Sequence, residues 1–417
     1  MLSKRGIAMT NKGPLAGIKI LDLSWILSGP FATMTLCDLG ADIVKIERPP
    51  FGDLGRTTRP LIDGESGYFF SVNRGKKSIA IDLKSKRGKE LFLELIKDFD
   101  VIVENFTPGV MDKMGLSFEK IQSINNKIIY AAISGYGQTG PWKDRPALDV
   151  IAQGSGGILS VTGQEDGPPI RPGTSLGDIG AGIYCVIGIL TALIERNKSN
   201  QGQFIDISMM DCQIALQENA FMRWHLTGEE PKKLGTRHPT AVPFQAFPTL
   251  DGWIVVALSW GVPEQWNLLC SVLSLDKLID DHRFKTAESR TDNHSDLEPI
   301  LNEAFKKQTT DDWIDLLLPM HIPCGPVNSI PEVSQSEQAN ARNMFTEVSH
   351  KTFGKVKLVN SPIKLSRTPA MIQGTAPDMG EHTKSILQNT LGLSDQMIEE
   401  LVASKIIWEQ RAEPDLE

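Results

Sequence analysis

Apolar positions along the first third of the chain follow two alternating rhythms. Short blocks rich in Ile and Val, at 17–24 (GIKILDLS), 41–47 (ADIVKIE), 77–83 (KSIAIDL), 101–106 (VIVENF) and 127–134 (KIIYAAIS), have the length of strands. Between them, 30–39, 85–98 and 110–125 return apolar residues at helical spacing; Leu91, Phe92, Leu95 and Ile96 form one such face. The alternation predicts βαβ units and a parallel sheet covered by helices, an α/β fold. A loop rich in Pro, Gly, Thr and Ser follows at 168–177. The next 16 residues, 179–194, carry no charge and predict a helix inside the core. A strand at 203–210 and a helix at 211–226 complete the first domain.

A shift in composition at 228–243, with Pro231, Gly235, Pro239 and Pro243, marks a linker. Beyond it, a strand at 253–258 and helices at 265–275, 296–307 and 310–320 predict a smaller α+β unit. The rest, with a strand at 355–358 and helices at 383–391 and 394–403, is too short for a core of its own and is expected to pack back on the first domain. The expected organisation is therefore 1–227, 228–330 and 331–417.

At 417 residues, 41% hydrophobic and 23% charged, the chain has the make-up of a soluble globular protein with ample material for a core. A net charge of -8 argues against nucleic acid or an anionic membrane surface as partner, but leaves room for a local basic site for a phosphorylated ligand. Cys37, Cys185, Cys212, Cys270 and Cys324 are odd in number and widely spaced, as expected of reduced thiols in a cytoplasmic protein. The 179–194 run is short for a bilayer span and contains Gly180, Gly182 and Gly188. The N-terminus lacks the apolar block of a secretion signal, and Lys4 and Arg5, ahead of Met9, read as part of a short tail or a leader.

Candidate chemistry narrows quickly. Gly135, Gly137 and Gly140 form G-x-G-x-x-G after a strand, but Pro141, Trp142 and Pro146 stand where a helix must open, so the segment reads as a turn and not an NAD site. Gly173, Ser175 and Gly177 form G-x-S-x-G without the preceding buried strand that a nucleophile elbow requires, which leaves a Ser175 hydrolase as a minor alternative. No Cys/His cluster has zinc spacing, and neither a metal nor a prosthetic group is called for. Asp178 is the one ionisable group at the mouth of the apolar run, where first-turn N–H groups and the helix dipole keep a carboxylate charged. An ionised, partly dry carboxylate can be a nucleophile; it can equally be an ordinary N-cap, and position alone favours the cap. Arg48, Arg74, Lys76, Lys77, Lys84, Asn105 and Lys113 lie near the strand ends where such sheets bind ligands. They read as phosphate contacts or as a solvated rim, with Arg48, between KIE and two prolines, the strongest individual candidate.

Five long segments in order, GIKILDLSWILSGPFATMTLCDLGADIVKIERP, NRGKKSIAIDLKSKRGKEL, DVIVENFTPGVMDKMG, ISGYGQTGPWKDRPALDVIAQGSGG and GTSLGDIGAG, resemble the class III CoA-transferases, the group of formyl-CoA transferase and carnitine CoA-transferase. HPTAVPFQAFPTLDGWIVVAL, IPCGPV and GEHT extend the likeness over nearly the whole chain. The resemblance implies a Rossmann-like large domain built from both chain ends, a smaller domain, and a homodimer of two subunits threaded through each other as linked rings. It implies that Asp178, in the G-D-x-x-x-G segment, is the nucleophile that becomes an aspartyl-CoA thioester, with backbone N–H groups near the glycines stabilising the oxyanions. It also implies that Leu27, Ser28, Arg48, Ile81, Lys84, Asn105, Phe106, Thr107 and Lys113 contact coenzyme A, which is a substrate here and not a bound cofactor. Lys113 replaces an Arg, so a point charge stands where relatives present a planar fork.

Two departures from the family pattern bear on the reaction. Leu148 occupies the position of an acid/base His in the racemase branch, which disfavours the alternative of an α-methylacyl-CoA racemase or epimerase. The glycine run that covers the site in formyl-CoA transferase has no match in 221–260, which speaks against formate and oxalate. The HPTAVPFQAF segment is more similar to enzymes that move CoA between succinyl-CoA and other dicarboxylic acids. Arg237 and His238 are then either residues facing an acceptor carboxylate or an exposed linker pair. The expectation is an acyl-CoA:carboxylate CoA-transferase for small carboxylic acids; a non-catalytic CoA-binding protein would share the motifs without the turnover.

Overall fold

The computed structural model describes residues 13–409; Lys4, Arg5 and Met9 lie outside the described residues. Six parallel strands form the central sheet: β1 (Lys19–Asp22), β2 (Asp42–Glu47), β3 (Lys77–Ile81), β4 (Val101–Glu104), β5 (Ile129–Ser134) and β6 (Phe204–Ser208). The two-residue β7 (Ile407–Trp408) adds an antiparallel edge, giving the order β7-β3-β2-β1-β4-β5-β6. The parallel part, 3-2-1-4-5-6, is that of doubly wound sheets, in which the order of strand addition reverses between β1 and β4 while all six strands run the same way. Because successive side chains point to opposite faces, Ile20 and Leu21 of β1 enter different cores. Ile20, Ile43, Val101 and Ile129 pack beneath α1 (Ser28–Asp38) and the helix Leu176–Ser199; Leu21, Val44, Ile79 and Ile102 pack beneath α2 (Lys86–Leu95). Both faces being covered explains why Ile, Val, Leu and Ala dominate these strands.

Three further helices surround the site: α3 (Asp149–Ser155), α4 (Leu176–Ser199) and α5 (Met209–Leu216). α4 and α1 meet at Gly182, where an added Cβ would lie 2.9 Å from both Ser28 O and Phe31 Cδ1. Only glycine permits that approach. The expectation of a fully buried apolar helix is corrected here. α4 has 24 residues and, by length and composition alone, could cross a membrane, but half of its most apolar window is buried in the fold. Its other face leaves Ile183, Ile187 and Ile194 about half exposed or more. The helix expected over 110–125 is two helices, Val110–Lys113 and Phe118–Ile124, interrupted at Gly115 with φ +75° and restarted by a Ser117 side-chain cap.

Contacts divide the chain into two compact units. One contains the described residues up to Ile158, then Pro172–Met222, then the segment from Asn340 onward; the other contains Leu159–Arg171 and Arg223–Ala339. In the first, the helices Thr383–Leu391 and Asp395–Ala403 contribute Leu387, Ile398 and Leu401 to the α2 side of the sheet. The second has an antiparallel sheet of Phe244–Pro248, Trp253–Ala257 and Cys324–Pro326. Helices Glu264–Val272, His294–Phe305 and Thr310–Leu317 close over it around Phe247, Trp266, Phe305 and Trp313.

Candidate active site

Asp178 is the third residue of α4, not its N-cap; Ser175 holds that position and makes no side-chain cap bond. The cap comes from outside the helix. Asp149, at the start of α3, accepts from Gly177 N at 2.9 Å and from Asp178 N at 3.4 Å through Oδ1, which also takes the Gln153 Nε2 proton at 2.8 Å. Gln153 is fully buried, and Gln213 of α5, also buried, donates Nε2 to Leu176 O at 3.1 Å. An added Cβ on Gly177 would sit 2.7 Å from Asp149 O, so this junction too demands glycine. With Asp149 satisfying the first-turn donors, the half-buried Asp178 carboxylate is not needed to cap the helix. The same arrangement corrects the expectation for oxyanion donors. Gly177 N and Asp178 N are taken by Asp149, and Ile179 N by Ser175 O at 2.9 Å.

Tyr68 shares an apolar cluster with Leu27 and Ile179 beside this turn. Burial, and then the negative charges of Asp178, Asp53 and Asp149, push its phenol up to about 12. It therefore stays protonated at neutral pH, an O–H donor in Asp178's surroundings.

At the carboxyl ends of β1 to β4 opens a cleft of about 510 Å³, lined by Trp25, Arg48, Phe51, Ile81, Lys84, Phe106 and Thr107 among others. Of the residues expected to contact CoA, five (Arg48, Ile81, Lys84, Phe106 and Thr107) line it. Leu27, Ser28 and Asn105 stand behind its wall. Asn105 Oδ1 accepts from Trp25 N at 2.9 Å, while Nδ2 donates to Trp25 O at 2.8 Å and to Ser28 Oγ at 3.1 Å, fixing the β1–α1 loop. Lys113 is exposed at the end of its short helix and does not line the cleft. Apolar rings beside two cations suit a ligand that joins flat apolar and phosphate parts.

Other members of the basic set are structural. Lys76 is fully buried, donating to Asp22 Oδ2 at 2.9 Å and Asn73 Oδ1 at 2.8 Å; Arg74 pairs with Asp38 at 2.6 Å, and Lys77 with Asp42 at 2.7 Å. Neither phosphate binding nor a solvated rim describes Lys76 and Arg74. A sequence scan for exposed cations also passes over Lys45, which is fully buried. Lys45 Nζ meets Asp53 Oδ2 at 2.8 Å and Ser24 O at 2.6 Å. Asp53 Oδ1 in turn holds Ile26 N at 3.0 Å, keeping that β-branched residue at φ +65°. Glu47 receives a two-point bond from Arg56, 2.7 Å at each oxygen. The paired cations hold Asp53 and Glu47 below the usual carboxylate range despite burial. This network sets both walls of the cleft.

Arg237 and His238 belong to the second unit and part company there. The Arg237 side chain is one-tenth exposed and lines a cavity. The His238 ring stacks on Phe244 at 5.0 Å, and its pKa is drawn below the ordinary value by burial and by the nearby Arg223 charge. The exposed-linker reading does not hold for Arg237. The two motif decoys also resolve: Gly137 and Gly140 sit at φ +84° and +83° in a turn, and no strand precedes Ser175 among residues 162–174. Leu148 is 72% exposed and offers no acid or base. Among the described residues no group of three or more His, Cys, Asp or Glu side chains is placed to hold a metal.

Residues 15–383 match CoA-transferase family III. The chain is 39% identical over 395 residues to the succinyl-CoA:glutarate CoA-transferase of Mus musculus, covering 94% of this chain and 90% of that one. It is 40% identical over 356 residues to the acetyl-CoA:oxalate CoA-transferase of Acetobacter aceti, covering 85% and 90%. A crystal structure of a CAIB/BAIF family protein from Brucella suis superposes with a TM-score of 0.82 at 36% identity, covering 91% of this chain and all of that one. The chain belongs to CoA-transferase family III. It is an enzyme, a CoA-transferase of a family that uses acyl-CoA substrates.

Proposed function

We propose that this enzyme carries CoA from a donor acyl-CoA to a dicarboxylic acid through a thioester on Asp178. An Asp178 oxygen attacks the donor thioester carbonyl, giving a mixed anhydride and CoA thiolate. The thiolate attacks the aspartyl carbonyl, releasing the donor acid and leaving aspartyl-CoA. The acceptor carboxylate then attacks that thioester, and the freed thiolate returns to the acceptor's acyl carbon, regenerating the Asp178 carboxylate. The observation that carries this reading is the head of α4, where Asp149 bonds the Gly177 and Asp178 N–H groups and the half-buried Asp178 carboxylate lies within electrostatic reach of the Tyr68 hydroxyl. The cleft with Arg48 and Lys84 supports CoA as the group held. The dicarboxylate class is supported by relatives named for succinate, glutarate and mesaconate.

In this reading the fold is a Rossmann-like large domain, the active species is an interlocked homodimer, and the enzyme is cytoplasmic. The exposed stripe of Ile183, Ile187 and Ile194 supports a partner subunit, and five free thiols support a reducing compartment. Light scattering gives the mass directly. The central test is Asp178→Ala: CoA binding should persist and transfer should vanish. In the wild type, hydroxylamine trapping during turnover followed by mass spectrometry should mark Asp178. An adduct on another residue, or substantial transfer by the variant, refutes the reading.

A further inference from the structure

Two glutamines of the first unit, Gln153 on α3 and Gln213 on α5, are fully buried beside the head of α4. Each directs its amide nitrogen at the turn that carries Asp178. Gln153 Nε2 donates to Asp149 Oδ1 at 2.8 Å, and Gln213 Nε2 donates to Leu176 O at 3.1 Å. Both partners are acceptors, which fixes the orientation of each amide, since only its nitrogen can donate. The amide oxygens point away from these bonds, and among the described residues neither Gln153 Oε1 nor Gln213 Oε1 has a hydrogen-bond partner.

Burying an amide oxygen unpaired lowers stability, and the acceptors do not need the glutamines in return. Asp149 Oδ1 also takes Gly177 N at 2.9 Å and Asp178 N at 3.4 Å. Leu176 is the first residue of α4, where the helical ladder supplies its carbonyl with the N–H four residues on. Replacing either glutamine by an apolar side chain of similar volume therefore orphans no acceptor and removes an orphaned oxygen. On stability alone, methionine would serve at least as well at both positions.

What the two amides fix is one peptide group. Leu176 O and Gly177 N belong to the same planar unit: Gln213 holds its oxygen, and Asp149, itself held by Gln153, takes its N–H. Gly177 leaves the backbone free to swing at this point, so a grip at both ends of the peptide sets the direction in which the chain enters Asp178. Gln213 is in turn locked by close backbone approach. A Cβ added at Gly156 would lie 2.5 Å from Gln213 Cβ, and one added at Gly180 would lie 3.3 Å from its Nε2.

We propose that Gln153 and Gln213 are positioning residues for CoA transfer: they clamp the Leu176–Gly177 peptide from opposite ends and so aim the Asp178 carboxylate at the thioester carbonyl. The proposal rests on the thioester at Asp178 set out above. Being fully buried, the amides act through the peptide and not on the substrate.

Gln153→Met and Gln213→Met in the full-length enzyme, assayed with succinyl-CoA and glutarate, test it. In each variant kcat should fall about 10- to 100-fold, the effect of a nucleophile displaced by up to about 1 Å. KM for succinyl-CoA should stay within about twofold of wild type, and the melting temperature should hold or rise, falling by no more than about 2 °C. A merely structural role predicts the opposite split, a lower melting temperature with kcat per folded molecule unchanged. That pattern, an unchanged kcat in either variant, or failure of either variant to fold overturns the proposal. Hydroxylamine trapping on the same proteins separates it from the reading beneath it. Normal kcat in the variants with Asp178 still marked sinks the clamp alone, whereas an adduct on another residue in wild type sinks the thioester reading and the clamp with it.

Discussion

Glu104 ends β4 immediately before Asn105, Phe106 and Thr107, and its burial gives the protein a built-in sensitivity to alkali. Its carboxyl is pushed from the ordinary 4.5 up to about 8, mainly by burial; the Phe106 N–H, 2.6 Å from Oε2, and the Tyr130 hydroxyl oppose the rise, and the Asp112 charge adds to it. A folded-state pKa above the unfolded one means that the native protein binds the extra proton. Stability is therefore full below about 4.5 and falls as pH rises toward 8. At about 1.4 kcal/mol per pH unit, the interval sets an upper bound of about 5 kcal/mol, and local relaxation should reduce the observed loss to about 2–3 kcal/mol. Urea unfolding at pH 5, 6.5 and 8, at fixed protein concentration, should show that decline in wild type. Glu104→Gln, which keeps the shape and cannot ionise, should flatten it. Lys76, held down to about 8 chiefly by burial, works in a higher window and with the opposite sign, so it does not mask the effect. An identical slope in wild type and Glu104→Gln would show that the burial argument is wrong.

Two further outcomes follow from the geometry. Gly182→Val should lower stability by about 1–3 kcal/mol, because its branched side chain meets Ser28 O and Phe31 where α1 and α4 touch, whereas Gly188→Ala, whose nearest contacts are side-chain methyls of Ile205 and Ile207 and not backbone, should cost less; equal melting temperatures for the two would refute the contact argument. Arg48→Ala should raise KM for acyl-CoA roughly tenfold at low salt, and Lys113→Ala by less than about twofold, since only Arg48 lines the cleft; kinetics at two ionic strengths check this, and equal effects would contradict the assignment.

The sheet was legible from periodicity because its strands are buried on both faces, and all six parallel strands appear within a few residues of their expected ends. The interruption of the 110–125 helix was written in Gly115 and Ser117, both turn or cap formers. What periodicity could not show is which polar residues are buried. Lys45, Lys76 and Arg74 look like surface cations because a sequence carries no record of the carboxylates that fold against them, and Asp149 looks like any helix-starting Asp until α4 arrives beside it. Arg237 and His238 are adjacent in sequence yet serve different surroundings, a distinction set by strand pairing and aromatic packing across dozens of residues. The GTSLGDIGAG motif located Asp178, but only tertiary structure reveals who caps its helix.

The outer edge of β3 is completed from far along the chain: His382 N bonds to Ser78 O at 2.9 Å, Thr383 Oγ1 accepts from Ala80 N at 3.1 Å, and Ile406 O accepts from Asp82 N at 2.8 Å. During synthesis, that margin waits with bare amides and carbonyls while the whole intervening unit leaves the ribosome. An unpaired strand margin is a template for pairing with other chains. Truncation before residue 380 should therefore yield aggregates even when the G-D-x-x-x-G segment is intact, and a chaperone that shields nascent sheet edges should raise the yield of the full-length enzyme.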